Sequence, residues 1–392
     1  MTAALTFVLF VRLSSYLTLF GAEESQSFKI ATRVATFALV YGVVLAHRLR
    51  GRRIFRVAVR NDLLLWLYVA FLALGCVSLL YSSNFDHSML QLVAYAESFC
   101  FACVFCRAVA RMGALDRLPF AFFGAVALLV AVCLAGAKLD EALFFKVTHE
   151  QTIQRLGGTV INANVLGMLA ALGTAMGLHL LVEQRVSWRS PLVLGGLGLN
   201  LIGLVMASSR SGTIAFALVV LVFARQSRSH VIKWGVLAVA GVGLAQFGQE
   251  IMLKQGDRGE VLSLTGRLPF WGDLLSMAFP QRPLLGFGFQ RIWYEETFRS
   301  IHSYEANMAH NTFLQVLLGL GLVGLIVAVL QVALTVRSVL RIREEGSRLF
   351  FVGLLVPLLT NSMTEFGIFG LMNHAVTLYQ LLVLLLVFRS AR

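Results

Sequence analysis

Charge is scarce in this 392-residue sequence: 14% of residues are Asp, Glu, Lys or Arg, while 58% are hydrophobic. Mean hydropathy is +0.79. A soluble domain does not hide that much apolar surface, whereas a bilayer does. The short alternating segments of an outer-membrane barrel are also missing. The apolar runs are about 16 to 25 residues long, which predicts membrane-spanning helices. The first run lacks the marks of a cleaved signal peptide, because Arg12 interrupts it and no clear small-residue cleavage site precedes Glu23.

Acidic residues are few. Asp and Glu number 20 against 33 Lys and Arg, a net charge of +13. No two acids stand two positions apart, so the D-x-D pairing that can hold a divalent metal is missing. No metal and no cofactor are expected. Cysteine is limited to five residues. Cys100, Cys103 and Cys106 have the C-x2-C-x2-C spacing of an iron–sulfur fragment, but a fourth ligand with the usual Cys-Pro is missing. Their neighbours Phe99, Phe101, Ala102, Val104 and Phe105 are apolar, so these cysteines read as small packed residues of a membrane helix.

What is present is a series of twelve candidate spans: 3–20, 30–47, 62–81, 89–106, 118–137, 162–182, 191–208, 211–225, 231–248, 311–336, 348–366 and 371–388. The expected fold is an all-α polytopic membrane protein. Its organisation reads as helices over 1–248, a large loop region over 249–310 between the ninth and tenth spans, and helices again over 311–392. Lys and Arg collect in alternate loops, above all Arg48, Arg50, Arg52, Arg53, Arg56 and Arg60 in one, and Arg337, Arg341, Arg343 and Arg348 in another. The positive-inside rule then puts both termini in the cytoplasm and the segments 138–161 and 249–310 on the outer side. Topology accounts for most of the positive charge, so nucleic acid is not an expected partner.

Several polar groups stand at the outer boundary. His310 and Asn311 precede the apolar run that continues to Gly324. Helical period places His310, Leu314, Leu317, Gly321 and Gly324 on one stripe, with the two glycines opening a groove for another helix or a lipid tail. A histidine that simply caps a membrane helix is the alternative. Ser208-Ser209-Arg210-Ser211-Gly212 forms a short turn, and a serine cap puts Arg210 in the first turn of the next helix. Free N–H groups and a guanidinium there suit an anion; the alternative is an arginine reaching lipid headgroups. Arg267, in Thr265-Gly266-Arg267, opens a helix with Pro269 near its start. It can serve an anion or sit as a solvated loop arginine. In that helix Phe270, Leu274, Met277 and Ala278 share an apolar face that is expected to lie on the membrane interface. A second amphipathic stretch over 290–308 carries Trp293, Tyr294, Phe298 and Tyr304, and the whole region reads as a lid beside His310. Asn162 and Asn164 are expected to cap the next span. Glu365, in an outer turn, reads as a solvated acid, with orientation of His310 or pairing with an arginine as the alternative. Gly319-Leu320-Gly321-Leu322-Val323-Gly324 matches G-x-G-x-x-G but lies inside a membrane helix with no preceding strand, which argues against a dinucleotide site.

His310-Asn311, nine residues, then Gly321-x-x-Gly324 resembles the H-[N/S/Q]-x9-G-x-x-G signature of the O-antigen ligase family. The large loop before it, and Gly158-Thr159-Val160-Ile161-Asn162-Ala163-Asn164-Val165-Leu166-Gly167, are similar too. The resemblance implies a GT-C-like glycosyltransferase of the bacterial inner membrane. Such an enzyme moves a glycan from undecaprenyl diphosphate to lipid A–core oligosaccharide at the periplasmic face. By the family's motifs His310 maps to the catalytic histidine, and Arg210 and Arg267 to the arginines that hold the donor diphosphate. Asn311, Asn164 and Glu365 are candidates for supporting roles. An O-antigen polymerase or protein O-oligosaccharyltransferase of the same superfamily is the nearest alternative. A lipid-linked-glycan flippase is the alternative of another class. A transporter places polar groups near the bilayer midplane; here most spans are almost free of them, and Arg12, Arg33, Glu97 and His179 form no evident pathway.

Overall fold

The computed structural model describes residues 1–19, 22–52, 62–148, 153–183, 185–187, 189–253, 263–264, 266–292, 308–365 and 367–388. The stretch 293–307, with Trp293, Tyr294, Phe298 and Tyr304, lies outside the described residues, as do Arg53, Arg56 and Arg60.

Each of the twelve expected spans falls on a helix. Among the described residues five helices are long and apolar enough to cross a membrane: Glu24–Leu49, Phe85–Arg111, Leu115–Leu139, Ala163–Val182 and Thr312–Leu340. The chain is a helical multi-pass membrane protein, and its described residues also contain a two-stranded hairpin that was not expected. It divides into two compact units, Met1–Arg56 with Arg107–Gly256 and Ile342–Thr360, and Val57–Cys106 with Asp257–Arg341 and Asn361–Arg392.

In the first unit α1 (Thr2–Ser14) packs on α2 (Ala22–Leu49) and on α3 (Leu118–Leu139). At its centre is α4 (Ala163–Val182), buried on nearly every side against α3, α5 (Pro191–Ala207) and α6 (Arg210–Gln226). The sequence sets the boundaries. Pro191 opens α5, where its missing N–H costs nothing. Asn162 caps α4 by accepting from the Asn164 N–H at 2.8 Å. Small residues then let two backbones touch: a side chain on Gly212 would lie 2.8 Å from the Gly167 carbonyl carbon. That contact seats the start of α6 against the first turns of α4.

The hairpin pairs β1 (Phe145–Thr148) with β2 (Ile153–Leu156) in antiparallel register, Phe145 opposite Leu156 and Lys146 opposite Arg155. Gly157 and Gly158, at φ +125° and +58°, turn the chain back so that the Gly157 N–H reaches the Phe144 carbonyl at 2.8 Å. The Thr18 N–H then holds the Val160 carbonyl at 2.9 Å.

In the second unit α7 (Asp62–Ser78) packs against α8 (Thr312–Leu340) and α9 (His374–Val387). Aromatic rings fill its centre, with Phe71 against Phe369 at 4.7 Å and Tyr95 edge-on to Phe289 at 5.2 Å. Cys106 is buried and its thiol approaches the Leu381 carbonyl at 3.6 Å, the packed role expected of it.

The expected continuous stripe below His310 is corrected in two ways. His310 precedes α8 and is not part of it. The helix is also broken at Gly321, which has φ +66° and ψ −165°. The break frees backbone groups, and the chain's own segment 283–288 takes them. The Phe287 N–H donates to the Leu318 carbonyl and the Gly288 N–H to the Gly319 carbonyl, both at 2.9 Å. The Leu322 N–H donates to the Pro283 carbonyl, also at 2.9 Å. The groove expected for a lipid tail is thus filled by backbone. Gly321→Ala is expected to destabilise the protein by about 1–3 kcal/mol from its φ alone, and by more because its Cβ would stand 2.1 Å from the Leu284 carbonyl. Gly198→Ala, whose Cβ meets nothing within 4 Å, is the control. Thermal unfolding in detergent should show a large loss for the first and none for the second.

Candidate functional site

His310 sits in the second unit between two anchored neighbours. Asn311 is the N-cap of α8, its Oδ1 accepting from the Phe313 and Leu314 N–H groups at 3.0 Å each. Its Nδ2 donates to the Met363 carbonyl at 3.0 Å. On the other side the Ala309 N–H donates to Gln315 Oε1 at 2.9 Å, and Trp271 Nε1 donates to the Ala309 carbonyl at 2.6 Å. These bonds hold His310 at φ +50°, a left-handed conformation that costs a non-glycine residue about 1–2 kcal/mol. Such strain persists only where the surroundings over-determine it.

Glu365 meets this histidine. Gly367, at φ +50°, brings its turn onto the start of α8; a side chain there would lie 2.3 Å from Thr312 Oγ1. The Glu365 carboxylate is 1% exposed. One oxygen accepts from Arg267 Nη2 at 2.7 Å, and the other stands 3.6 Å from His310 Nδ1, ion-pair range rather than a formed hydrogen bond. Arg267 Nη1 also donates to the Thr364 carbonyl. Burial pushes the Glu365 carboxyl up, but the His310 ring and the Arg267 guanidinium outweigh it and hold it below the usual carboxylate range. The carboxylate is therefore charged at neutral pH. The expected solvated turn acid is corrected: Glu365 is buried and faces both groups that a lone acid could serve.

Arg267 opens the helix Arg267–Asp273 (α10), directly after Gly266 at φ +75°. The face carrying Phe270, Leu274 and Ala278 is buried against Phe287, Ile292, Ala309, Leu314 and Leu318. That face was expected to lie on the membrane; it instead forms the second unit's own core, because α10 has apolar side chains in α8 to pack on. Met277, expected on the same face, is 44% exposed.

The other two expected residues lie in the first unit. Ser209 caps α6, its Oγ accepting from the Gly212 N–H at 3.1 Å, and Arg210 is the first residue of that helix, as the serine-rich turn predicts. Asn164 does not cap. Its Oδ1 accepts from Arg155 Nη2 at 2.6 Å, and Arg155 Nε donates to the Ala207 carbonyl at 3.0 Å. Arg155 belongs to none of the sequence motifs that point to the site. The alternation in Phe145-Lys146-Val147-Thr148 was the available signal for the strand pair that carries it. Gln315 and Trp271, which hold the backbone of Ala309 beside His310, left no sequence signal, since both bonds depend on tertiary packing.

Arg12 and Arg33, two of the polar interruptions in the spans, both approach the Tyr16 ring, at 5.9 and 5.5 Å. His179 packs on Phe350 in the body of α4.

Residues 195–329 match the family model described as O-antigen ligase. No curated protein matches the chain. The matched segment contains Arg210, Arg267 and His310, and over it the chain is similar to the O-antigen ligase family.

Proposed function

We propose that this protein is an inner-membrane glycosyltransferase that moves an O-antigen glycan from undecaprenyl diphosphate to lipid A–core oligosaccharide at the periplasmic face, with both termini in the cytoplasm. The observation that carries this reading is the buried Glu365 carboxylate between His310 and Arg267. A carboxylate facing Nδ1 favours the tautomer with its proton there, which leaves Nε2 as the acceptor of a proton. An acceptor hydroxyl attacks the anomeric carbon of the donor sugar and passes its proton to Nε2. The bond from that carbon to the diphosphate oxygen breaks, and undecaprenyl diphosphate leaves with the electron pair. One displacement without a covalent intermediate inverts the anomeric carbon.

The leaving diphosphate gains charge, and guanidinium groups stabilise it in this reading. Arg210 and Arg267 are the residues assigned to it. Arg267 has five N–H donors and spends two of them on Glu365 and Thr364. Arg210→Ala is expected to raise the donor KM about tenfold or more, the scale of a lost charged hydrogen bond. It should leave the acceptor KM unchanged; steady-state kinetics with each substrate varied reads this. Arg267→Ala is expected to lower kcat as well, because it releases Glu365.

The acceptor separates this reading from its relatives. Purified protein is given undecaprenyl-diphosphate-linked glycan together with lipid A–core, free lipid-linked repeat units and a pilin-like protein. Consumption of lipid A–core supports the ligase. Chain growth on the lipid-linked units, or glycan on the protein, replaces it with a polymerase or a protein oligosaccharyltransferase.

A further inference from the structure

We infer that Arg155 is a positioning residue for the donor diphosphate, acting through Arg210 and Asn164; this rests on the donor-binding role proposed above for Arg210. Arg155 stands on β2 and spends its guanidinium on two protein acceptors from different helices. Nε holds the Ala207 carbonyl at the end of α5, and Nη2 holds Asn164 Oδ1 in the first turn of α4. One side chain thus ties the hairpin, the start of α4 and the turn that launches α6.

That turn is closely defined. Ala207 ends α5, Ser208 follows at φ +45°, Ser209 caps α6, and Arg210 is next. A cation at the carbonyl end of α5 suits the helix dipole, so Arg155 is well placed where it is. Arg210 stands at the N–H end of α6, where the dipole disfavours a cation and favours an anion. The two arginines therefore have different tasks: Arg155 binds protein and fixes the turn, and Arg210 serves the phosphate.

Asn164 carries the second half of the argument. A guanidinium only donates, so the amide must turn its oxygen to Arg155, and its two N–H donors point away from that bond. Arg155 thereby sets which way Asn164 presents its donors. Pairing within the hairpin does not account for an arginine at this position. Lys146 stands directly across the ladder from it, and like charges opposite one another are unfavourable.

The experiment measures donor and acceptor KM and kcat in detergent for wild type, Arg155→Ala, Arg155→Lys, Arg210→Ala and the double variant Arg155→Ala/Arg210→Ala. Displacing a phosphate ligand without removing it is expected to raise the donor KM about tenfold, with acceptor KM within about twofold of wild type. Because Arg155 acts partly through Arg210, the loss in the double variant should be clearly smaller than the product of the two single losses. Arg155→Lys keeps the charge but makes one bond in place of two, and should fall between wild type and Arg155→Ala. It also serves as the test if Arg155→Ala does not insert. A wild-type donor KM in the Arg155 variants overturns the inference. So do losses that multiply in the double variant, or equal rises in both KM values. Wild-type protein that transfers no glycan from undecaprenyl diphosphate instead sinks the proposed function, and is told apart by the wild-type assay alone.

Discussion

His310→Ala is expected to abolish glycan transfer while the protein still inserts and still binds donor. In the proposed mechanism its imidazole is the general base, and removal of a positioned base costs about 10²–10⁴-fold. The loss should appear in kcat, with donor KM nearly unchanged, because in the proposed mechanism the ring acts on the acceptor's proton and not on the diphosphate. The left-handed backbone at His310 strengthens the expectation. A capping residue needs no such conformation, and Asn311 already caps α8. His310→Asn is a useful second variant, since asparagine tolerates φ above zero and keeps the backbone while removing the base. Both variants are expected to be inactive. Near-normal transfer by either, at wild-type expression, removes His310 from the chemistry.

Glu365→Gln is expected to be the next most damaging change, in stability and in rate. The carboxylate is 1% exposed and its Arg267 partner 14% exposed. Breaking one side of such a pair leaves a charge without its counter-ion and costs about 3–5 kcal/mol. The rate is expected to fall about 100-fold, because the negative charge that faces His310 Nδ1 in the proposed mechanism is lost. The pH dependence has a definite sign. The folded carboxyl titrates below its ordinary value of 4.5, so its contribution to stability is complete above that value and is lost as the pH falls through the folded pKa. The gap in thermal unfolding temperature between wild type and Glu365→Gln should stay constant from about pH 8 to about pH 5 and close only in more acid solution. A gap that closes near neutral pH would contradict the buried pair.

Long apolar runs made the helices legible, and the reason is physical: a membrane helix needs a fixed length of apolar sequence and satisfies its backbone within itself. The Ser209 cap and the place of Arg210 were legible for a similar reason, since a cap bonds to residues two or three positions away. What failed depended on distant partners. Glu365 in its turn reads the same whether water or Arg267 faces it, and the two are separated by nearly a hundred positions. Gly321 reads as a close-packing residue of a helix. Its true role, a break in that helix, appears only when Pro283 and Leu284 are brought against it. The face of Phe270, Leu274 and Ala278 was correctly read as apolar, but periodicity does not say whether such a face meets lipid or protein. The Arg155 hairpin was missed because a four-residue strand carries little signal beside twelve apolar runs.

In the proposed reaction His310 takes the acceptor's proton as a glycan leaves undecaprenyl diphosphate. Its most direct measurement is a transfer assay with purified protein, undecaprenyl-diphosphate-linked glycan and lipid A–core, run in excess chelator beside His310→Ala. The account predicts glycosylated lipid A–core and released undecaprenyl diphosphate from the wild type, and neither from the variant. No product from active wild-type preparations, or equal product from both proteins, would contradict it.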